Sequence, residues 1–533
     1  MNQRTRILIL QLAVILAVCA FLFFFGLGAF GLVGADEPRY SQIAREMLNR
    51  HDWIVPTLNG RPWLEKPAFL YWKIMNSYAI FGVHDWAARI PAAAHATTLA
   101  LVIFFFMRRF RPGAEMNAAL ITASCAAMIA FGRGASTDML LSAPFAMALL
   151  SWWAWHENRR RLWLAVFYAL LAVGSLAKGP VAPVLAVLIV AAYAVLRRDS
   201  KIFVRSLWWA GFLLYFALVL PWYIAVQLKV PEFFRVFFIE HNLDRFGTNL
   251  YQHSQPFWYY IPVFLLSTAP WIVFTIMAIV DAAKTGVRNL RSDSGGSGID
   301  KRFQQFLLIW IVMPIIFFSI SRSKLPGYIL PSIPASAILT ADYLQRRPRA
   351  LPRWSILGHS LVCGILVGLA LISPARMLKV HLPSNAVSWI IVGTGLVAIL
   401  VVLILRIGGA RLLHFATLAP VILILTFLLR PAAPVIDEVN SARTVNARLG
   451  ELGAPQAPIS VFNVKREVEY GLTFYRNEAI GRYERDGVPS GEHIVIIREG
   501  SSEALRALTG ERQISTLGNF PPQHLEFYLV SKQ

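Results

Sequence analysis

About thirteen runs of apolar residues recur along the chain, each near the roughly 20 residues that carry a helix across a bilayer. The first spans about 7–33. The others lie near 88–107, 115–131, 138–155, 162–177, 180–196, 207–228, 257–280, 304–320, 325–344, 355–374, 386–405 and 412–429. Composition agrees: 56% of the 533 residues are hydrophobic and 15% charged, whereas about a quarter of a soluble domain is charged. The first run is too long for the core of a cleavable signal peptide, so it reads as a retained span. The chain is expected to be a polytopic α-helical membrane protein.

A formal charge of +21 raises nucleic acid as a partner, and the placement of the charges answers it. Short basic connectors such as 107–112, 156–161, 196–205, 281–303 and 344–353, with Arg4, Arg6, Arg406 and Arg411, hold 23 of the 51 Lys and Arg. Cytoplasmic loops carry this bias, so the N-terminus is expected inside and the long first loop, 34–87, outside. Thirteen crossings put the segment 431–533 outside as well. From Arg430 onward the chain is near neutral, at −1, which leaves +22 on the membrane part. The positive charge is an orientation signature, and no nucleic-acid face is needed to explain it. The tail alternates short apolar strands (PISVFN, EHIVIIRE, LEFYLVSK) with a helical stretch, SSEALRALTG, and reads as a small α/β domain.

Cys19, Cys125 and Cys363 all fall within predicted spans, so no exported disulfide framework is expected. No Walker loop, dinucleotide glycine fingerprint or GxSxG elbow is present, and no nucleotide cofactor is expected.

Chemistry is therefore sought among polar groups on the outer face. The loop 34–87 is too long for a simple connector, and it predicts two amphipathic interfacial helices, about 38–50 and 67–81. Asp36 and Glu37 follow the first span. They are either a solvated cap that starts the next helix or carboxylates that position substrate, accept a proton or hold a metal. Asp138 lies on the same side, and Arg133 is a possible partner for it. Lys66, Lys178, Arg245, Arg322 and Lys324, with Tyr328, gather at outer turns. Each cation alone could snorkel to headgroups. Together they exceed what the orientation rule allows outside, and an anionic phosphate lipid is the natural partner. Glu65 and His241 are candidate ligands for a divalent metal, although two ligands fall short of a signature.

The strings DEPRYSQIAREML, DWIVPTLNGRPWLEKPAFLYW, AKGP, EHNLDRFGTN, QHSQPFWYY and SRSKLPGYILP occur in this order over about 30–345. In them the chain resembles the bacterial 4-amino-4-deoxy-L-arabinose lipid A transferases, GT-C enzymes more distantly related to protein O-mannosyltransferases. The resemblance implies a GT-C fold and the bacterial inner membrane; with the runs and tail read above, the expected organisation is a transmembrane GT-C catalytic domain over 1–430 and a periplasmic α/β domain over 431–533, in a monomer. The resemblance also implies an undecaprenyl-phosphate sugar donor and an acceptor, lipid A or a related molecule, at the periplasmic face. By motif, Asp36 is the first-loop acid, with Glu37 and Asp138 grouped with it. Lys66 and Arg245 hold the donor phosphate, Tyr328 lines its pocket with Lys324 and Lys178 nearby, and Glu65 and His241 match positions that bind a metal. An ionised phosphate acceptor needs no strong base, whereas a hydroxyl acceptor makes Asp36 the base candidate. The competing class, a transporter, predicts ionisable groups at mid-depth in the spans and repeated halves, and the sequence has neither.

Overall fold

Lipid offers no hydrogen bonds to the backbone, so apolar runs of this length satisfy their polar groups internally as helices. The computed structural model describes residues 2–244, 255–289, 298–346, 351–408, 412–452 and 457–532. Every predicted run falls on helix, but several are broken. Glu115–Ser124 and Ala126–Gly132 meet at a 63° bend, and Tyr260–Ser267 and Ile272–Lys284 at 114°. The run near 325–344 is a 3₁₀ segment, Pro326–Ser332, followed by Ile333–Arg346. Among the described residues, seven helices are long and apolar enough to span alone, or up to ten if each bent pair is one span. The expected thirteen therefore counted runs, and several runs are too short or too bent to qualify by length alone. The close pair near 162–196 is two helices, Arg161–Lys178 and Val181–Leu196.

The first loop carries two helices, Asp36–Asn49 and Phe69–Phe81, close to the expected spans. The first starts two residues earlier than expected, because Asp36 and Glu37 form its first turn and Pro38 sits just inside it. Between the helices, β1 (Thr57–Leu58) and β2 (Arg61–Pro62) form a hairpin. Glu46 pins it: its carboxylate accepts from the backbone N–H of Asn59 at 2.8 Å and the Thr57 hydroxyl at 2.7 Å.

The tail builds a five-stranded sheet from β3 (Ile459–Phe462), β4 (Gly481–Arg482), β5 (His493–Arg498), β6 (Ile514–Phe520) and β7 (Leu525–Val530), in the order β4-β3-β5-β7-β6. Strand β3 pairs in parallel with β4 and β5, and β7 runs antiparallel to β5 and β6. The three expected strands and the helix Ser502–Thr509 are present. Their apolar residues form a separate core around Val461, Leu472, Ile496 and Phe527.

This tail is tied to the first loop. Arg443 reaches Asp85 at 3.1 Å and Asp437 at 2.5 Å, the Tyr475 hydroxyl accepts from the Leu32 N–H at 2.7 Å, and Arg45 donates to the Phe474 carbonyl at 2.8 Å. A Cβ on Gly31 would collide with Ser441 and Tyr475, so only glycine allows this approach.

Candidate functional site

The first group of polar residues is organised by a cation. Arg39 lies one turn after Asp36 on the same helix face, and its side chain is 8% exposed. Its Nη2 donates to Asp36 Oδ1 at 2.5 Å, and its Nη1 lies 3.8 Å from Glu65 Oε2. The rings of Trp63, Tyr40 and Tyr470 surround the guanidinium at 5.0, 5.1 and 5.6 Å. Burial works against its charge, but Tyr40, Asp36 and Glu65 outweigh it and hold Arg39 protonated. Asp36 remains 58% exposed, a carboxylate with a fixed partner on one side and solvent on the other.

Glu37, the next residue, is turned about 100° around the helix and has the opposite environment. Its carboxylate accepts from Arg89 Nε at 3.0 Å and Nη2 at 2.6 Å, from the Val33 N–H at 2.9 Å and from the Ala135 N–H at 2.7 Å. Arg89 also donates to the carbonyls of Leu27, Phe30 and Gly31. Glu37 and Arg89 are 9% and 3% exposed, so this is a buried clamp with its hydrogen bonds in use. The expectation that grouped Glu37 with the catalytic acids meets a carboxylate already saturated by scaffold. The clamp does position the site, because it ties the start of the Asp36 helix to the segment leading into Asp138.

The second group joins three motifs that are far apart in sequence. Asp138 opens the helix Thr137–Asn158 and Lys178 closes Arg161–Lys178, so each charge suits its helix end. Lys178 Nζ meets Asp138 Oδ1 at 2.5 Å, both partly exposed, and lies 4.9 Å from the centre of the Tyr328 ring. Arg133, the partner considered for Asp138, instead donates to the carbonyls of Leu22 and Phe25. Gly327 backs the pair: a Cβ there would sit 2.8 Å from Asp138 Oδ1. Lys324 turns inward, 7% exposed, and donates to the Ser321 carbonyl at 2.5 Å. Lys66 is half-buried in the segment that leads into Phe69–Phe81, and His241 lies in the π-helical segment Arg235–Asp244. Arg245 lies outside the described residues.

Apolar cavities lie beside the chain around Lys178, although Lys178 itself does not line them. Two cavities of about 310 and 440 Å³ lie along the helix Trp209–Lys229 and share Tyr215 and Phe216. The second includes Ser175 and Pro180, which flank Lys178 in the chain. A charged cluster with apolar cavities beside it suits an amphiphile with an anionic head.

The residues proposed for a metal fit one poorly. Glu65 Oε2 lies 3.8 Å from Arg39 Nη1, so a divalent cation there would sit beside a fixed positive charge. Among the described residues no group of three or more His, Cys, Asp or Glu side chains is placed to hold a metal ion.

Sequence reasoning missed Arg39 and Arg89. The second had a signal: an arginine at the start of a predicted span must be paired or lost to water. Arg39 had none, because its value comes from Trp63 and Tyr470, which only the fold brings to it.

Residues 65–224 match the family model described as dolichyl-phosphate-mannose-protein mannosyltransferase. An undecaprenyl phosphate-alpha-4-amino-4-deoxy-L-arabinose arabinosyl transferase of Edwardsiella ictaluri is 32% identical over 320 residues, covering 58% of this chain and 55% of that one. The chain thus spans just over half of that relative. The enzyme of the same name from Pseudomonas savastanoi pv. phaseolicola is 29% identical over 93% of this chain and 97% of its own. The crystal structure of ArnT from Cupriavidus metallidurans bound to undecaprenyl phosphate superposes with a TM-score of 0.76, covering 97% of each chain at 22% identity. That likeness establishes the fold, the expected GT-C architecture.

Proposed function

We propose that this chain, which is similar to undecaprenyl phosphate-alpha-4-amino-4-deoxy-L-arabinose arabinosyl transferases, moves a sugar from undecaprenyl phosphate to lipid A or a related acceptor at the periplasmic face of the inner membrane. The sugar is an amino sugar of the 4-amino-4-deoxy-L-arabinose type. The observation that carries this reading is the Asp138–Lys178–Tyr328 cluster, with an apolar cavity lined by Ser175 and Pro180 on either side of Lys178 in the chain. The cluster offers a cation for a lipid phosphate, and the cavity an apolar surface for its tail.

Transfer breaks the bond between the anomeric carbon and the donor phosphate, so charge grows on the departing undecaprenyl phosphate. Lys178, with Lys66 and Arg245 from the other outer motifs, stabilises that charge as a preorganised electrostatic partner. Asp138 holds Lys178 in place, and Tyr328 fixes it from the ring side. Asp36, exposed and braced by Arg39, orients the incoming nucleophile, or takes its proton if the acceptor is a hydroxyl. Glu37 and Arg89 hold the two carboxylates in register. Attack from the face opposite the phosphate inverts the anomeric centre. Lys324 acts through the Ser321 carbonyl and shapes the turn that carries Tyr328.

Mass spectrometry of lipid A and of undecaprenyl-phosphate species, with and without the gene, tests this function. Deletion is expected to accumulate one undecaprenyl-phosphate sugar and to remove one lipid A modification. Unchanged lipid A with loss of a sugar from another glycan or from protein would move the reading to a different acceptor. No change in any of these pools would end it.

Gly327→Ala supplies a second test. The added Cβ crowds the Asp138 carboxylate and the Phe131 ring, and if Asp138 gives way transfer is expected to fall by about tenfold or more while the protein still inserts, the scale of a 1 Å misplacement in a preorganised site. Wild-type turnover in a purified Gly327→Ala enzyme would remove the cluster from the mechanism.

Topology completes the proposal. The N-terminus is cytoplasmic and the sheet domain periplasmic, in a monomer. A C-terminal alkaline phosphatase fusion is expected to be active and a green fluorescent protein fusion dark. The reverse pattern would require an even number of crossings.

A further inference from the structure

The helix Thr137–Asn158 carries Asp138 at one end and His156 at the other, about 27 Å apart at 1.5 Å per residue. At the His156 end, away from the sugar site, lies a cavity of about 450 Å³. It is lined by Arg159, Arg197 and Arg302, together with Trp153, His156 and Tyr193. The three arginines and His156 belong to the basic connectors that the charge pattern places in the cytoplasm, where a simple orientation role would let each arginine spread into water or headgroups. Here three of them face one cavity.

Two buried groups point to a ligand. Tyr193 is 0% exposed, yet its hydroxyl has no hydrogen-bond partner, and neither has Nδ1 of His156. Buried polar groups are rarely left unpaired without a reason. The carboxylates that also line the cavity are already engaged. Glu157 accepts from Trp153 Nε1 at 3.0 Å, and Asp199 accepts from the Lys201 N–H at 3.0 Å at the start of Ser200–Ser206. Arg197 donates to Gln305 Oε1 at 3.3 Å, and Arg159 lies 5.0 Å over the Trp155 ring. His156 itself is stacked on Trp152, with ring centres 5.2 Å apart, which fixes its plane.

We propose that this cavity binds a phosphate ester, the arginines meeting its charged oxygens and the Tyr193 hydroxyl donating to one of them. Arginine forks match phosphate geometry, and basic pockets between helices at the cytoplasmic surface suit anionic lipid headgroups. The same chemistry fits a lipid phosphate of the inner leaflet or a soluble phosphate. The site is separate from the one that handles the sugar donor, and its occupancy is read without any sugar transfer.

The test uses the purified full-length protein in detergent. Native mass spectrometry measures retention of phosphatidylglycerol and cardiolipin against phosphatidylcholine, and thermal unfolding follows a titration with inorganic phosphate. Wild type is expected to retain the anionic lipids selectively. Arg197→Gln/Arg302→Gln is expected to weaken retention about tenfold or more, the scale of losing charged hydrogen bonds to a phosphate, and Tyr193→Phe severalfold. If inorganic phosphate alone raises the unfolding midpoint of wild type and not of the variants, the site holds and its ligand is soluble. Equal retention of anionic and zwitterionic lipid with no response to phosphate overturns the proposal, as does retention that the substitutions leave unchanged. Should the double arginine variant fail to fold, Tyr193→Phe decides alone. Removing a hydroxyl that lacks a partner does no harm to an empty site, so weaker binding there is specific.

Discussion

Asp36→Asn is expected to lower sugar transfer by about a hundredfold or more while the protein inserts and folds. The carboxylate is the exposed end of a fixed pair: Arg39 holds one oxygen at 2.5 Å, and the side chain is 58% open to an incoming substrate. Asparagine keeps the shape and an acceptor oxygen but removes the charge. Losses of that size follow when one charged or preorganised group is taken from a transfer site. The kinetic form of the loss separates its causes. A fall in kcat with little change in KM for the acceptor fits a role confined to the transition state. A rise in KM alone would make Asp36 a binding group, and wild-type turnover would remove it from the site. Arg39→Gln is informative beside it, because Asp36 and Glu65 then lose their shared cation without being altered themselves.

Breaking the Glu37–Arg89 clamp is expected to have the largest effect on stability. Glu37→Gln or Arg89→Met leaves one buried charge without its partner, which costs about 3–5 kcal/mol. The cost falls at a junction, since Glu37 also accepts from Val33 and Ala135, and Arg89 gathers three carbonyls from 27–31. The unfolding midpoint in detergent should drop for each single variant, and transfer should fall with it. In the double variant Glu37→Gln/Arg89→Met no charge is stranded, so it should be less destabilised than the sum of the two. Simple additivity would mean that the two side chains act independently, against the geometry.

These two neighbours also show how far the sequence could be read. Asp36 and Glu37 are adjacent acids of the same type, and nothing in the string separates them. The helix does, by turning Glu37 toward Arg89 and leaving Asp36 in the open. The helices themselves were legible because a bilayer demands apolar length. Their breaks at Cys125 and between Ser267 and Ile272 were not, because hydropathy records composition and not direction. The tail strands were legible from short apolar runs bounded by turns, whereas the edge strand β6, partly exposed, has a weaker pattern. Partner choice was the least accessible part. Arg133 is five residues from Asp138 and Lys178 is forty, yet only Lys178 reaches it. A motif in the sequence can name such residues; only the packing of three helix ends says which of them touch.

On the proposed function this chain transfers a sugar directly from a polyprenyl phosphate. Purified protein in liposomes containing undecaprenyl phosphate-α-4-amino-4-deoxy-L-arabinose and lipid A, with no nucleotide sugar present, tests it most directly by mass spectrometry of both lipids. Lipid A gaining one aminoarabinose for each undecaprenyl phosphate released, with no transfer by Asp36→Asn, is the predicted result. A donor that keeps its sugar in the presence of folded wild-type protein would contradict it.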